Sequence, residues 1–204
     1  MMDFPEHPFW DFSIKVHGHA GVHEACLAMQ VDHAIDVNIL FYCCWRGAAG
    51  GGPARREDLL RIMEGSSGWQ NEIVRPVWTA RRKLKPRFGD FPVEFTEPLR
   101  RALIAAELDA EHMEQLQIAA LAPFEIDAAA ADRVREADAL ENLTRYLFLH
   151  FEASCRAGGS APPTVLPAGL KAPIGVLLRA CFPHSDADAL ASLIDTSFSR
   201  PAPV

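Results

Sequence analysis

Residues 21–46, GVHEACLAMQVDHAIDVNILFYCCWR, decide the fold. Within them Cys26, Gln30, His33, Val37, Leu40 and Cys44 recur at alternating spacings of four and three, the period of a packed helical seam. The second half, Val37–Trp45, is apolar nearly all round, as a helix touched on several sides inside a bundle must be. Its β propensity is also high, but the seam runs straight into it, so the stretch predicts a single helix over about 21–46. At 9 residues including Asn38, the apolar run falls far short of the ~20 that a membrane span needs.

Outward from this seam the chain predicts a short helix over about 8–18, carrying Phe9, Trp10, Phe12 and Ile14. Gly47 to Ala54 forms a loop, followed by a helix over about 55–64. A Gly65-Ser-Ser-Gly68 turn then leads into a longer helix from Trp69 to about Lys85, with Pro76 kinking it or ending its first turns. Residues 86–96 read as an extended aromatic connector, with Thr96 as N-cap of a helix over about 97–121 that tolerates Pro98 in its first turn. Asp127 is the expected cap of a helix over about 128–156. The fold expected is all-α: a helical bundle of about five to seven helices over 1–157, a Gly- and Pro-rich linker at 158–168, and a C-terminal helical hairpin at 169–199 packed on the bundle. The hairpin reads as helices over about 169–182 and from Ser185, as N-cap, to about Phe198.

The chain has 204 residues, is 49% hydrophobic and 23% charged, and can bury one sizeable core. Residues 1–92 are balanced at 11 basic and 11 acidic side chains, whereas 93–204 carry 9 and 16, which accounts for the net −7. That balance argues against a dedicated nucleic-acid binder, although Arg75, Arg81, Arg82, Lys83, Lys85 and Arg87 form a local basic patch. The five cysteines are odd in number and form no C-x-x-C pair, which suits reduced thiols in a cytoplasmic protein. The N-terminus lacks the basic and apolar regions of a signal peptide.

Motifs for chemistry are sparse. His17, His19, His23, Cys26 and His33 cluster in sequence but spread over different faces and segments, so no metal is expected. The glycine loop has no following Lys-Ser/Thr and no preceding strand, and no G-x-S-x-G occurs. Helices 55–64 and 69–85 imitate a helix-turn-helix, yet Pro76 and the acidic total speak against DNA. The unusual feature lies on helix 97–121, where Glu107, Glu111 and Glu114 share a stripe with Leu103, Ile118 and Leu121. Buried carboxylates need partners, and Arg75, Arg81 and Arg82, with Gln30 and His33 from the seam, are available. A solvated helix edge is the bland alternative. A carboxylate di-metal centre lacks the Glu-x-x-His motif it would need. Asp36 and Asn38 add two polar groups at the start of the most apolar segment, where they too must find partners.

Several signatures arrive in a familiar order: Phe9-Trp-Asp-Phe-Ser13, Gly21-Val22, Ala25–Gln30, Asp36–Leu40 with Trp45, Val74-Arg75-Pro76, Arg81–Lys85, Glu107–Glu111, Asn142-Leu143 and Tyr146-Leu147. Over most of 9–150 the chain resembles an uncharacterised bacterial family of small all-helical proteins of unknown function. That resemblance implies a helical fold and a cytosolic bacterial setting, not a reaction, and His17, His19, His23 and His33 lie outside its pattern.

With no catalytic signature, the first functional expectation is a non-catalytic interaction, adaptor or regulatory protein with a protein partner, no cofactor, no nucleic acid and no membrane. The alternative is a helical protein or enzyme binding an anionic small molecule at a polar site built from Arg75, Arg81, Arg82, Glu107, Glu111, Glu114, Gln30, Asp36 and Asn38.

Overall fold

A computed structural model describes residues 4–85 and 88–199. Arg87 of the basic patch, Pro86 of the aromatic connector and the first three residues of the chain lie outside the described residues. The described chain is helical with no strand: six helical rods and a C-terminal hairpin.

Helix α1 (Pro8–His17) starts on Pro8, whose missing N–H is harmless there, and His7 Nδ1 accepts the Phe9 N–H at 3.2 Å. The predicted single helix over 21–46 is two, α2 (Val22–His33) and α3 (Val37–Ala48). Ala34 turns the chain with a left-handed φ of 55°, and Asp36 restarts it by accepting the Asn38 and Ile39 N–H groups at 2.9 and 3.4 Å. The seam survives the break because both helices face one core. The groups freed at the break are taken up from far along the chain. Arg75 donates to the Ala34 carbonyl at 2.6 Å, His150 Nε2 lies 2.9 Å from the His33 carbonyl, and the Asp36 N–H donates to the Tyr146 hydroxyl at 3.0 Å.

As its all-round apolarity predicts, α3 is buried from Asn38 to Gly47. It lies against α7 (Asp132–Ala157), and a Cβ on Gly47 would stand 2.5 Å from Ala139 Cα. The glycine loop after it is a connector: Asn142, fully buried, accepts from the Ala54 N–H at 2.5 Å and donates to the Gly52 carbonyl at 3.3 Å.

Gly65–Gly68 is not a turn. Helix α4 (Arg56–Trp69) runs through it into a π-helical segment (Gln70–Val74) and α5 (Arg75–Lys83) as one continuous rod. Gly65 stays helical because the helix over Val93–Leu121 presses on it: a Cβ would meet Leu121 Cδ1 at 2.6 Å, and Gln117 donates to the Gly65 carbonyl at 2.9 Å. The π segment just ahead of Pro76 is where the ladder absorbs the missing N–H and the bulky ring.

Helix α6 (Val93–Leu121) begins earlier than expected. Thr96 lies inside it, its hydroxyl on the Val93 carbonyl at 3.4 Å, while Pro92 occupies the cap position. Helix α7 begins later, since Asp127 closes a turn on the Ala129 N–H at 2.8 Å instead of capping the helix. In the hairpin, α8 (Lys171–Cys181) follows a short 3₁₀ turn. Asp186, not Ser185, caps α9 (Ala187–Phe198), accepting from the Ala189 N–H at 2.8 Å. Ser185 donates to Glu136 on α7 instead. Hairpin residues such as Leu177, Leu178 and Ile194 join the same hydrophobic core as Leu40 and Leu147.

Candidate functional site

Helices α1, α2 and the start of α3 face the antiparallel pair α5 and α6 across a cavity of about 560 Å³. Its apolar wall comes from Trp10, Ile14, Leu27, Phe41, Trp78 and Ile104. Arg81, Arg82 and Lys85 line it from α5 and the residues just after that helix, while Glu107, Glu111 and Gln115 line it from α6.

Of the expected arginines, Arg81 meets the carboxylate stripe. Its Nη2 donates to Glu107 Oε1 at 2.8 Å and its Nε to Glu107 Oε2, a two-pronged pair that suits the planar guanidinium. Glu107 is the more buried partner, with its side chain 10% exposed against 22% for Arg81. Arg75 is used at the α2–α3 break, and Arg82 stacks its guanidinium 4.5 Å from the Trp78 ring centroid. Gln30 also lines the cavity.

A polar chain lies behind the cavity. Gln115 Nε2 donates to Asn38 Oδ1 at 2.8 Å, and Asn38 Nδ2 donates to Glu114 Oε2 at 2.6 Å. Glu114, fully buried, is hydrogen-bonded to the Asp36 carboxyl, so one acid of the pair must hold a proton. Burial pushes both acids up, but Asp36 has the two α3 N–H groups that favour its ionised form. The proton therefore rests on Glu114, which donates to Asp36. Glu111 is raised to about 8, first by burial and then by the Glu107 charge, with Arg81 opposing. Burial raises Cys26 to about 12, so that cavity thiol is unreactive. His17 is lowered, mainly by burial and then by His23, whose ring stands edge-on at 5.5 Å. Among the described residues, no group of three or more His, Cys, Asp or Glu is set to hold a metal ion. Nor is any described helix long and apolar enough to cross a membrane.

Gln115 and Trp78 are among the lining residues that escaped the sequence reading. Gln115 sits at i+4 from Glu111, and Trp78 at i−4 from Arg82, spacings that put each on its partner's face. Both signals were present but are common on ordinary helices.

The Arg81–Glu107 pair is expected to stabilise the α5–α6 contact. Glu107→Gln should cost about 2 kcal/mol, between the values for exposed and fully buried pairs, read as a shift in denaturant midpoint. Coupling in a double-mutant cycle should appear with Arg81→Met and not with Arg82→Met. Equal, negligible losses in both arms would make the pair solvated decoration.

These features define an all-helical protein organised round a mixed aromatic and charged cavity. The chain belongs to the family described as protein of unknown function (DUF2390), which it matches over residues 8–118. Every residue that lines the cavity lies inside that span, whereas α7 and the hairpin lie beyond it. No curated protein and no solved structure matches the chain.

Proposed function

We propose that the cavity binds a small molecule with an anionic group and an apolar or aromatic body. The observation that carries this reading is the uneven use of the basic side chains. Arg81 is neutralised by Glu107, whereas Arg82 and Lys85 form no ion pair among the described residues and both line the cavity. A guanidinium over an indole, with an ammonium lining the same cavity, is suited to a carboxylate or phosphate. Trp10, Phe41 and Trp78 supply an aromatic wall for the body of the ligand. A cytoplasmic, bacterial setting suits this role, and the five free cysteines support the first part of it.

Tryptophan fluorescence titration with octanoate and 4-methylbenzoate tests the proposal. Saturable binding is expected, weakened about tenfold or more in the Arg82→Gln/Lys85→Gln double variant, because each charged hydrogen bond contributes at least that factor. Both side chains are exposed, so the melting temperature of that variant should stay unchanged. Identical binding by the wild type and the variant would remove the anion site.

The interaction-protein reading draws on another place. Phe88 and Phe91 just before α6, and Val93, Phe95 and Leu99 at its start, are all exposed, and Phe95 is the most open of them at 69%. Co-purification of a protein that is lost in Phe91→Ser/Phe95→Ser but kept in Arg82→Gln would favour it.

A further inference from the structure

We propose that the ligand is amphoteric: besides the anionic group held by Arg82 and Lys85, it carries an ammonium group that docks deeper in the cavity, on Glu111 and the side-chain oxygen of Gln115. This inference rests on the ligand-site reading above and names the class of molecule.

The α6 wall of the cavity holds an unmet acceptor. Gln115 is 3% exposed and lines the cavity, and its Oε1 is buried without a hydrogen-bond partner. Its amide orientation is set by Asn38: Gln115 Nε2 donates to Asn38 Oδ1, and Asn38 Nδ2 donates on to Glu114. The orphan atom is therefore an acceptor. Beside it, four residues back on the same helix face, Glu111 makes no hydrogen bond and no ion pair within 4 Å among the described residues, and it too lines the cavity. An orphan amide oxygen and an unpaired carboxyl group on one wall call for a cation from the ligand, a donor to the first and a counter-charge to the second. A cation offers the most to a carboxyl group that is otherwise costly to ionise.

The two ends of the site are separated along the helices. Glu107 is taken by Arg81, and Glu111 lies one turn further along α6, about 6 Å on at ~1.5 Å per residue. Arg82 and Lys85 lie on the other side of the Arg81–Glu107 pair, toward the end of α5. A molecule with charges at opposite ends of an apolar body fits that spacing.

Glu111 is faced by Glu107 and Glu114 from α6, Arg81 from α5, Asp36 from the α3 cap, Cys26 from α2 and, across the cavity, His17 from α1. With burial and two acids opposing its ionisation, it holds a proton at neutral pH and is raised to about 8. Docking an ammonium there favours the carboxylate, so the proton leaves to solvent as the ligand binds. Roughly one proton is released for each ligand taken up near pH 7, and binding tightens as pH rises toward 8.

Calorimetric titration of the full chain with matched probes tests this: octanoate against 8-aminooctanoate, and 4-methylbenzoate against 4-(aminomethyl)benzoate, each in two buffers of different ionisation enthalpy at pH 7. In at least one pair the amino compound is expected to bind about tenfold tighter, with close to one proton released. In Glu111→Gln, checked for an unchanged melting profile, that preference and the proton release should both vanish. Anions that bind as tightly as their amino partners, or a preference without proton release, overturn the amphoteric ligand while leaving the anion site intact. If no member of either pair binds, the ligand-site reading falls, and this inference falls with it.

Discussion

Gly47→Ala is expected to lower stability by about 3 kcal/mol, at the upper end of the overpacking range, measured from the urea midpoint. The reason is a close crossing of two helices. A Cβ at Gly47 would stand 2.5 Å from Ala139 Cα and 2.6 Å from Ala139 Cβ, so α3 and α7 must separate to admit it. No side-chain rotation relieves a clash with backbone. Ala139→Gly should therefore fail to rescue Gly47→Ala, because the backbone atoms of residue 139 remain in place. The effect should reach the cavity too, since Asp36 at the start of α3 is anchored to α7 through Tyr146, and Asn38 next to it is bonded to Glu114 and Gln115 on α6. A loss under about half a kcal/mol, or full rescue by Ala139→Gly, would mean that the two helices do not meet this closely.

Stability should also fall between pH 6.5 and pH 8, by roughly 2–3 kcal/mol, and most of that slope should disappear in Glu111→Gln/Glu114→Gln. Burial raises both acids above their ordinary values, Glu111 to about 8, so the folded protein keeps protons that the unfolded chain has released. Their stabilising contribution is complete below the ordinary carboxylate range and is lost as pH rises through the raised values. Each proton retained is worth at most ~1.4 kcal/mol per pH unit, and opening of Glu111 onto the cavity reduces its share. The window matters because His17, His112 and His150 are lowered by burial and destabilise the fold on the acid side of their ordinary range. Above it, the buried thiols of Cys26, Cys43 and Cys44, also raised, add a further loss. Glutamine at 114 keeps a donor for Asp36, so that variant should fold. A flat profile from 6.5 to 8 would show both acids ionised as they are in water.

Much of the architecture was legible before any coordinates. A nine-residue run that is apolar but for Asn38 and continues a helical seam read as the central helix, and α3 is that helix. Three glutamates on an apolar stripe of one helix and arginines on its neighbour left two readings, a solvated edge or a pair, and the pair follows if the stripe is buried, because a buried carboxylate without a partner is too costly. The particular arginine was less legible. Arg75, Arg81 and Arg82 are equivalent in kind, and the face that each presents depends on how α5 is joined to α4.

That joint depended on distant contacts. Gly65-Ser-Ser-Gly68 favours a turn locally, but Leu121 and Gln117 of α6 hold it helical, and the π segment before Pro76 then rotates everything after it. In the other direction, an unbroken seam from Cys26 to Cys44 favours one helix, yet Arg75, His150 and Tyr146 satisfy the backbone groups that a break at Ala34–Asp36 exposes. Periodicity within a segment reports which face is buried, and so helix type, core faces and the candidates for a charge pair follow from local order along the chain. Whether a helix stops, and which acceptors are left without donors, depends on side chains 41 to 117 residues away that supply or withhold a hydrogen bond. The cavity belongs to that second kind, since its walls come from five helices and its orphan acceptor, Gln115 Oε1, is defined only by what surrounds it.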